Sequence, residues 1–278
     1  MHSRDLITPI PPDTARAARA TLGQNNYYLA VGDSWEALMT ERQSNAESIA
    51  EASRSSMPYI LALTTLLQYK EKLSDRQAEE ASRLRIDWKY ALHLSLHYPG
   101  LPWVLLCRYR QKVYHDLEWQ QQFQSILDRF TEQGYLPNRQ APSLTVMILL
   151  IDVCTQSRLE EAMLALRRAL EVLATKHPLW LRANILPHWY TRHHLFTAAS
   201  DMPRNGAQQD KLFEDIGADI LYLFRAISHS DQPELSDLEE IRILQQIWRE
   251  QFELAEDGNV RRLPRCSFCG SFNTSGEI

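Results

Sequence analysis

Apolar residues recur at the spacing of a helix face along much of the chain. Between residues 74 and 92 they follow one another at intervals of three and four, which predicts an amphipathic helix with one stripe against a core. The same periodicity predicts a helix over Leu159–Ala174. We therefore expect a mainly α protein. The residues of the first stripe are Ala78, Ala81, Leu84, Trp88 and Ala91.

Boundary residues locate the other helices. Pro58 suits a first helical position, because proline lacks the N–H group that would be unpaired there. Ser74 and Gln77 fit a capping box, so the preceding helix is expected to end at Leu73 and a new helix to begin after Ser74. The remaining predicted helices begin near residues 33–34 or cover residues 12–22, 103–115, 117–133, 213–228 and 238–252.

One apolar run leaves its secondary structure open. Ser143–Cys154 is rich in β-branched residues and contains few polar ones. Periodicity does not decide between a buried strand and a buried helix segment in so short a run. Both alternatives are therefore kept.

Composition is typical of a soluble globular protein, with 44% hydrophobic and 23% charged residues among 278. The formal charge of −5 argues against a protein that coats nucleic acid by bulk charge. The longest apolar run, Val146–Ile151, is too short to span a membrane, and no secretion signal is apparent. With only four cysteines, the expected location is a reducing cytoplasm.

Local charge differs from the average between residues 70 and 115. Nine basic residues and five acidic ones give this stretch a balance of 9 − 5 = +4. Such a face is typical of solvated helices whose charges pair locally, but a helix-turn-helix could also direct arginines at DNA phosphates or base edges. The candidate DNA-binding residues are Lys70, Lys72, Arg76, Arg83, Arg85, Lys89, Arg108, Arg110 and Lys112.

The same stretch resembles a known family. Leu73-Ser74-Asp75-Arg76 and Arg85-Ile86-Asp87-Trp88-Lys89-Tyr90 are similar to the N-terminal domain of bacterial insertion-sequence transposases of the DDE type. Looser likeness continues through Arg158-Leu159-Glu160, Trp180-Leu181-Arg182 and Ile216-Gly217-Ala218-Asp219. The resemblance implies DNA-binding helices followed by a ribonuclease-H-like core, in which three carboxylates hold two Mg²⁺ ions.

The chain departs from this pattern where the first catalytic aspartate is expected. That position falls on Thr145 when counted from Arg158, and on Pro142 when the neighbouring serine is matched. Asp152 is the nearest acid, but it is out of register. The other two acids are expected beyond residue 263, where the sequence diverges and ends at Ile278. We therefore expect a truncated copy with no catalytic residues.

Two other groups of residues are candidate metal sites, and neither is expected to bind a metal. Cys266 and Cys269 form half of a zinc-ribbon pattern without a second ligand pair, so a metal is not expected. Histidines around Trp189 lack the spacing of a metal-binding helix, and surface histidines are expected there. No cofactor is predicted, although intact relatives would use Mg²⁺.

These observations predict four segments and one function. Residues 1–56 hold N-terminal helices and a loop, and 57–136 a helix-turn-helix-like DNA-binding domain. Residues 137–262 form a helical middle region of an incomplete core, and 263–278 a divergent flexible tail. The expected function is binding of the terminal repeats of a mobile element without catalysis. The alternatives are a fragment that pairs with intact transposase or with itself, and a decayed remnant without selected function.

Overall fold

The protein is mainly α, as predicted. The computed structural model describes residues 9–39, 57–136, 145–189, 192 and 206–263. Predictions for Pro142, the adjacent histidines 193–194 and Cys266 and Cys269 lie outside these residues. The helices are α1 Pro12–Thr21, α2 Tyr27–Asp33, α3 Trp35–Met39, α4 Met57–Glu71, α5 Asp75–Leu84, α6 Ile86–Ala91, α7 Trp103–His115, α8 Leu117–Glu132, α9 Val146–Lys176, α10 Pro178–Asn184, α11 Gly206–Ser228, α12 Glu234–Asp237 and α13 Glu239–Gln251, and the strands are β1 Phe252–Leu254 and β2 Val260–Arg262.

Contacts divide the chain into two compact units, residues 1–154 and 155–278. The boundary lies within α9, which contributes its first residues to the first unit and the rest to the second. The sequence predicted four segments with other boundaries, and that division stays a prediction.

Helix α4 is the buried centre of the first unit. Every residue from Tyr59 to Gln68 is buried, so this helix has no solvent-facing stripe along that length. A helix that is apolar on all sides must be enclosed by neighbours, and α7 and α8 pack against it. The polar residues Thr64 and Thr65 satisfy their hydroxyls on backbone oxygens one turn earlier.

The capping box at the start of α5 is confirmed. Ser74 Oγ accepts from the Gln77 backbone N–H, and Gln77 Oε1 accepts from the Ser74 N–H. The predicted continuous stripe beyond it is wrong, because the helix stops at Arg85, which is extended. Leu84, the last residue of α5, is 65% exposed and does not belong to the core, because six residues from Ala78 correspond to about 240° around the helix. Trp88 lies on the separate helix α6 and is fully buried.

Two other sequence predictions are settled within the described residues. The apolar run from Val146 to Cys154 is helical and forms the start of α9, so the strand alternative is wrong there. The helix expected to begin near residues 33–34 is confirmed as α3, which begins at Trp35. The short helix before it, α2, was not predicted; Asn26 caps it by accepting from the Tyr28 N–H.

The second unit has its own core between α9, α11, α13 and a small antiparallel hairpin. Strands β1 and β2 pair Phe252 with Arg262 and Leu254 with Val260. Arg158 of α9 donates to the backbone oxygens of Gln251 and Leu263, which fixes the two ends of the hairpin. The apolar centre includes Leu166, Phe213, Ile220, Leu244 and Phe252.

Close packing explains why glycine, a poor helix former, occupies position 217 in the middle of α11. A Cβ atom at this position would lie 2.4 Å from Phe252 Cδ1 and 2.8 Å from Val260 Cγ1. The hairpin therefore packs directly on the helix backbone. Trp248 Nε1 donates to the Gly217 carbonyl oxygen at 3.0 Å and closes the same contact from α13.

Replacing Gly217 with alanine should destabilise the second unit by about 1–3 kcal/mol, because the hairpin must move away from the helix. Chemical denaturation followed by circular dichroism measures the change. Ala218→Ser on the exposed side of the same helix is the matched control and should cost less than about 0.7 kcal/mol. A Gly217→Ala variant as stable as the parent would contradict the close packing.

Candidate nucleic-acid interface

The structure separates the nine candidate basic residues by exposure. Two of them, Lys89 and Arg110, are buried. Lys72 and Arg85 are partly exposed. The exposed residues are Lys70, Arg76, Arg83, Arg108 and Lys112.

Arg110 lies in the interior, between α4, α5 and α7. Its Nη2 donates to Asp75 Oδ2 at 2.5 Å, and the two side chains are 1% and 7% exposed. Gln68 of α4 donates to the other Asp75 oxygen at 2.9 Å. Burial opposes the charge of the guanidinium, but the carboxylate outweighs it, so the pKa of Arg110 is raised. Arg110 is therefore buried in an ion pair of the interior, and its predicted contact with DNA stays a prediction.

Lys89 is also directed inward. Its Nζ donates to the backbone oxygens of Ser95, Leu96 and Tyr98, at 3.3, 2.8 and 3.0 Å. Removal from water lowers the pKa of Lys89. The side chain holds the loop between α6 and α7 and is 3% exposed, so it does not belong to the exposed surface.

Arg85 joins α4 to the junction of α5 and α6. It donates to Glu71 at 2.5 Å and to Asp87 at 2.7 and 3.1 Å. Burial opposes its charge, but the hydrogen bonds to Asp87 and Glu71 outweigh burial and raise the pKa of Arg85. Trp88 Nε1 and Tyr28 Oη donate to the same Glu71 carboxylate. Two acids thus neutralise the guanidinium, and its role is to hold the bend between helices.

The two lysines at the end of α4 have partners within the protein. Lys70 Nζ lies 3.4 Å from the centre of the Tyr27 ring. Lys72 Nζ is 2.8 Å from Asp152 Oδ2 and 4.3 Å from the Tyr69 ring centre. The acid considered as a substitute for the catalytic aspartate, Asp152, is therefore engaged in an ion pair.

The outer faces of α5 and α7 carry the remaining cations. Arg76 and Arg83 are seven residues apart on α5, and Arg108 and Lys112 four apart on α7, so each pair shares a helix face. Within the described parts of the chain, no carboxylate oxygen lies within 4.0 Å of these charges. Glu80 is the exposed acid on the same side of α5.

Backbone contacts fix α5 and α7 relative to one another. The Leu101 N–H donates to Ser82 Oγ at 2.8 Å, and the Trp103 N–H donates to Glu79 Oε2 at 3.1 Å. Gly100 has a φ of +105°, and a Cβ there would lie 3.0 Å from the Glu79 carbonyl oxygen. The connection before α7 is therefore pressed against α5, which fixes the positions of the two helices that carry the exposed cations.

Residues 31–112 match the family model described as Transposase domain (DUF772). This part of the chain is a transposase-family region. It begins within α2, runs through α7 and includes the four cations of the outer faces. No curated protein and no solved structure gives a significant match.

Two of the exposed cations contact aromatic side chains, which the sequence did not predict. Arg76 Cζ lies 5.0 Å from the centre of the Trp103 ring, and Lys112 Nζ lies 4.0 Å from that of Trp119, just beyond the region. Both indole rings are partly exposed. Lys112 and Trp119 lie on different helices, α7 and α8, so helical periodicity does not predict their contact.

Other groups in the described residues offer less chemistry. No three of their His, Cys, Asp or Glu side chains come together in a way that could hold a metal ion. His188 Nε2 lies 3.5 Å from Asp219 Oδ1, whose main partner is Arg192 at 2.7 Å. Among the same residues, the helices lack the length and apolar character needed to cross a membrane.

Arg108 and Arg110 provide a matched pair of substitutions on α7. Arg110→Met should destabilise the first unit by about 3–5 kcal/mol, because it leaves Asp75 buried and uncompensated. Arg108→Met removes an exposed charge and should change stability by less than about 0.5 kcal/mol. Urea denaturation of both variants checks the difference. Equal stability of the two variants would contradict the assignment of Arg110 to the interior.

Proposed function

We propose that the first unit is the DNA-binding part of a DDE-type insertion-sequence transposase. The outer faces of α5 and α7 are the contact surface, and the terminal repeats of the element are the target. The observation that carries this proposal is the set of exposed cations without carboxylate partners in the described residues of a transposase-family region. Those cations are Arg76, Arg83, Arg108 and Lys112.

Electrostatics favours DNA as the partner of this surface. A guanidinium or ammonium group already paired with a carboxylate gains little from a phosphate, because the first partner must be given up. Arg76, Arg83, Arg108 and Lys112 have no such partner in the described part of the chain, so they are available to neutralise phosphates and release counterions. Contacts to the DNA backbone position the protein, and arginine can in addition read guanine edges in the major groove.

The buried and neutralised residues have a different place in the proposal. Arg85, Lys89 and Arg110 hold the helices that present the surface and do not contact DNA themselves. Replacing any of them acts on folding first and on binding second. Lys70 and Lys72 lie at the end of α4 and are secondary candidates, because each already has a partner within the protein.

We further propose that binding takes place without strand cleavage by this chain. The position expected for the first catalytic aspartate falls on Thr145 or Pro142, and neither side chain is a carboxylate. Asp152 neutralises Lys72, and use of its carboxylate as a metal ligand would leave that lysine unpaired in a partly buried place. Metal-dependent nicking of a labelled terminal-repeat duplex by the purified chain would overturn this part.

Gel-shift titration of a terminal-repeat duplex and a random duplex tests the binding proposal. We expect the purified chain to bind the terminal repeat more tightly, with a logarithmic salt slope of about −3.6 if four phosphates are contacted. Replacing Arg76, Arg83, Arg108 and Lys112 together with glutamine should abolish the shift. No preference for the terminal repeat at low salt would contradict the proposal.

A matched control separates this surface from net charge. Replacing four exposed arginines of the second unit with glutamine changes the net charge by the same amount and should leave the shift intact. Suitable positions are Arg168, Arg182, Arg225 and Arg249. Loss of binding in both sets would show that bulk charge, and not the α5–α7 surface, is responsible.

Association with intact transposase or with a second copy stays a prediction, as does a cytoplasmic location. Co-purification of this chain with a full-length relative, together with reduced transposition on co-expression, would support an inhibitory role. A chain that binds neither DNA nor a relative would favour the decayed remnant.

A further inference from the structure

Two cation–aromatic pairs lie at the two ends of α7. Arg76 lies over Trp103 at the first residue of the helix, and Lys112 lies over Trp119 near its other end. Arg108 lies between Trp103 and Lys112 in the sequence, is exposed and has no carboxylate partner in the described residues. Aromatic rings interleaved with basic groups are the arrangement by which proteins bind nucleic acid whose bases are unpaired.

The helix geometry sets the spacing of the two pairs. Trp103 and Lys112 are nine residues apart, which is about 13 Å along the axis of α7. At about 3.4 Å per base, this axial distance corresponds to roughly four nucleotides of a strand. Around the helix, Arg108 lies about 40° from Lys112 and about 140° from Trp103, so it shares a side of α7 with Lys112.

Contacts within the protein hold the Trp119 ring and the backbone of Trp103 in place. Trp119 makes an edge contact with the buried Tyr109, with ring centres 6.0 Å apart. Trp103 begins α7, and its backbone N–H is held by Glu79. The rings need no large rearrangement to accept a base, because a planar base can replace the basic group or stack on the outer plane of the arginine.

We propose that Trp103 and Trp119 are stacking sites for unpaired DNA bases, so that the chain prefers a DNA end with separated strands to a fully paired one. This inference rests on the proposed function and specifies the structure of the DNA that the same surface binds. The cations Arg76, Arg108 and Lys112 follow the backbone, and the two indoles hold the bases.

Fluorescence anisotropy of the full chain with two probes tests the proposal. One probe is a paired terminal-repeat duplex, and the other has about four terminal base pairs replaced by mismatches, with the same number of phosphates. We expect the mismatched probe to bind at least about five-fold more tightly, since base stacking on an aromatic ring is worth that much or more. In the Trp103→Leu/Trp119→Leu variant the two probes should bind equally.

Two control variants make the outcome specific. Arg108→Gln should weaken both probes and keep their ratio, because it removes a phosphate contact and no stacking surface. Trp180→Leu changes a partly buried tryptophan of the second unit and should also keep the ratio. Equal affinity of the parent chain for the two probes, or a preference that survives the double tryptophan substitution, overturns the stacking proposal.

A measurement on the unaltered chain covers the case in which the double variant does not fold. 2-Aminopurine placed at the mismatched positions should lose fluorescence on binding, because stacking on an indole quenches it. Emission that does not fall on saturation with protein overturns the proposal. If the chain binds neither probe, the proposed DNA-binding function itself is contradicted. Failure of that function is therefore distinguishable from failure of the stacking proposal alone.

Discussion

The buried ion pair between Arg110 and Asp75 is the interaction on which the first unit depends. It joins α5 to α7, and Gln68 extends the contact to the buried helix α4. An ion pair so far from water stabilises little by itself, because desolvation offsets most of the attraction. What it does is specify the packing, since any arrangement that separates the partners leaves a charge buried alone. The relative position of α5 and α7 is thereby fixed.

Helix phase then decides which charges face outward. Arg108 and Arg110 are two residues apart, or about 200° around α7, so one points to solvent when the other points to Asp75. Arg76 follows Asp75 directly, lies about 100° from it around α5 and is exposed. The exposed cationic surface and the buried pair are consequences of the same packing. This link is the reason why we assign positioning roles to the inner charges and contact roles to the outer ones.

Much of this arrangement could be predicted from local sequence. The limits of α7, the start of α5 at its capping box and the helix opened by Pro12 follow from short-range signals, and the structure confirms them. Leu84 shows where the predicted stripe fails, because it is exposed within α5, and the extended residue Arg85 then resets the phase of α6. The helical state of residues 146–154 did not follow from periodicity, because a short apolar run fits both a buried strand and a buried helix.

The burial of Lys89 and Arg110 could not be predicted in the same way. The partner of Arg110 is 35 residues away, and the partners of Lys89 are carbonyl oxygens, which every residue type provides. From the sequence, the nine basic residues therefore looked equivalent. The structure distinguishes those that are buried from those that are exposed. The Trp103 and Trp119 contacts were missed because they join different helices. The exposed residues Arg76, Arg83, Arg108 and Lys112 were, by contrast, named correctly as surface candidates.

The salt dependence of DNA binding tests the central claim most directly, namely that the outer charges contact DNA and the inner ones do not. The measurement compares the slope of log K against log salt for the parent chain and for the single variant Arg108→Gln. Loss of one phosphate contact should make the slope shallower by about 0.9 with no change in thermal stability. An unchanged slope, with the variant folded and binding as the parent does, would contradict the account.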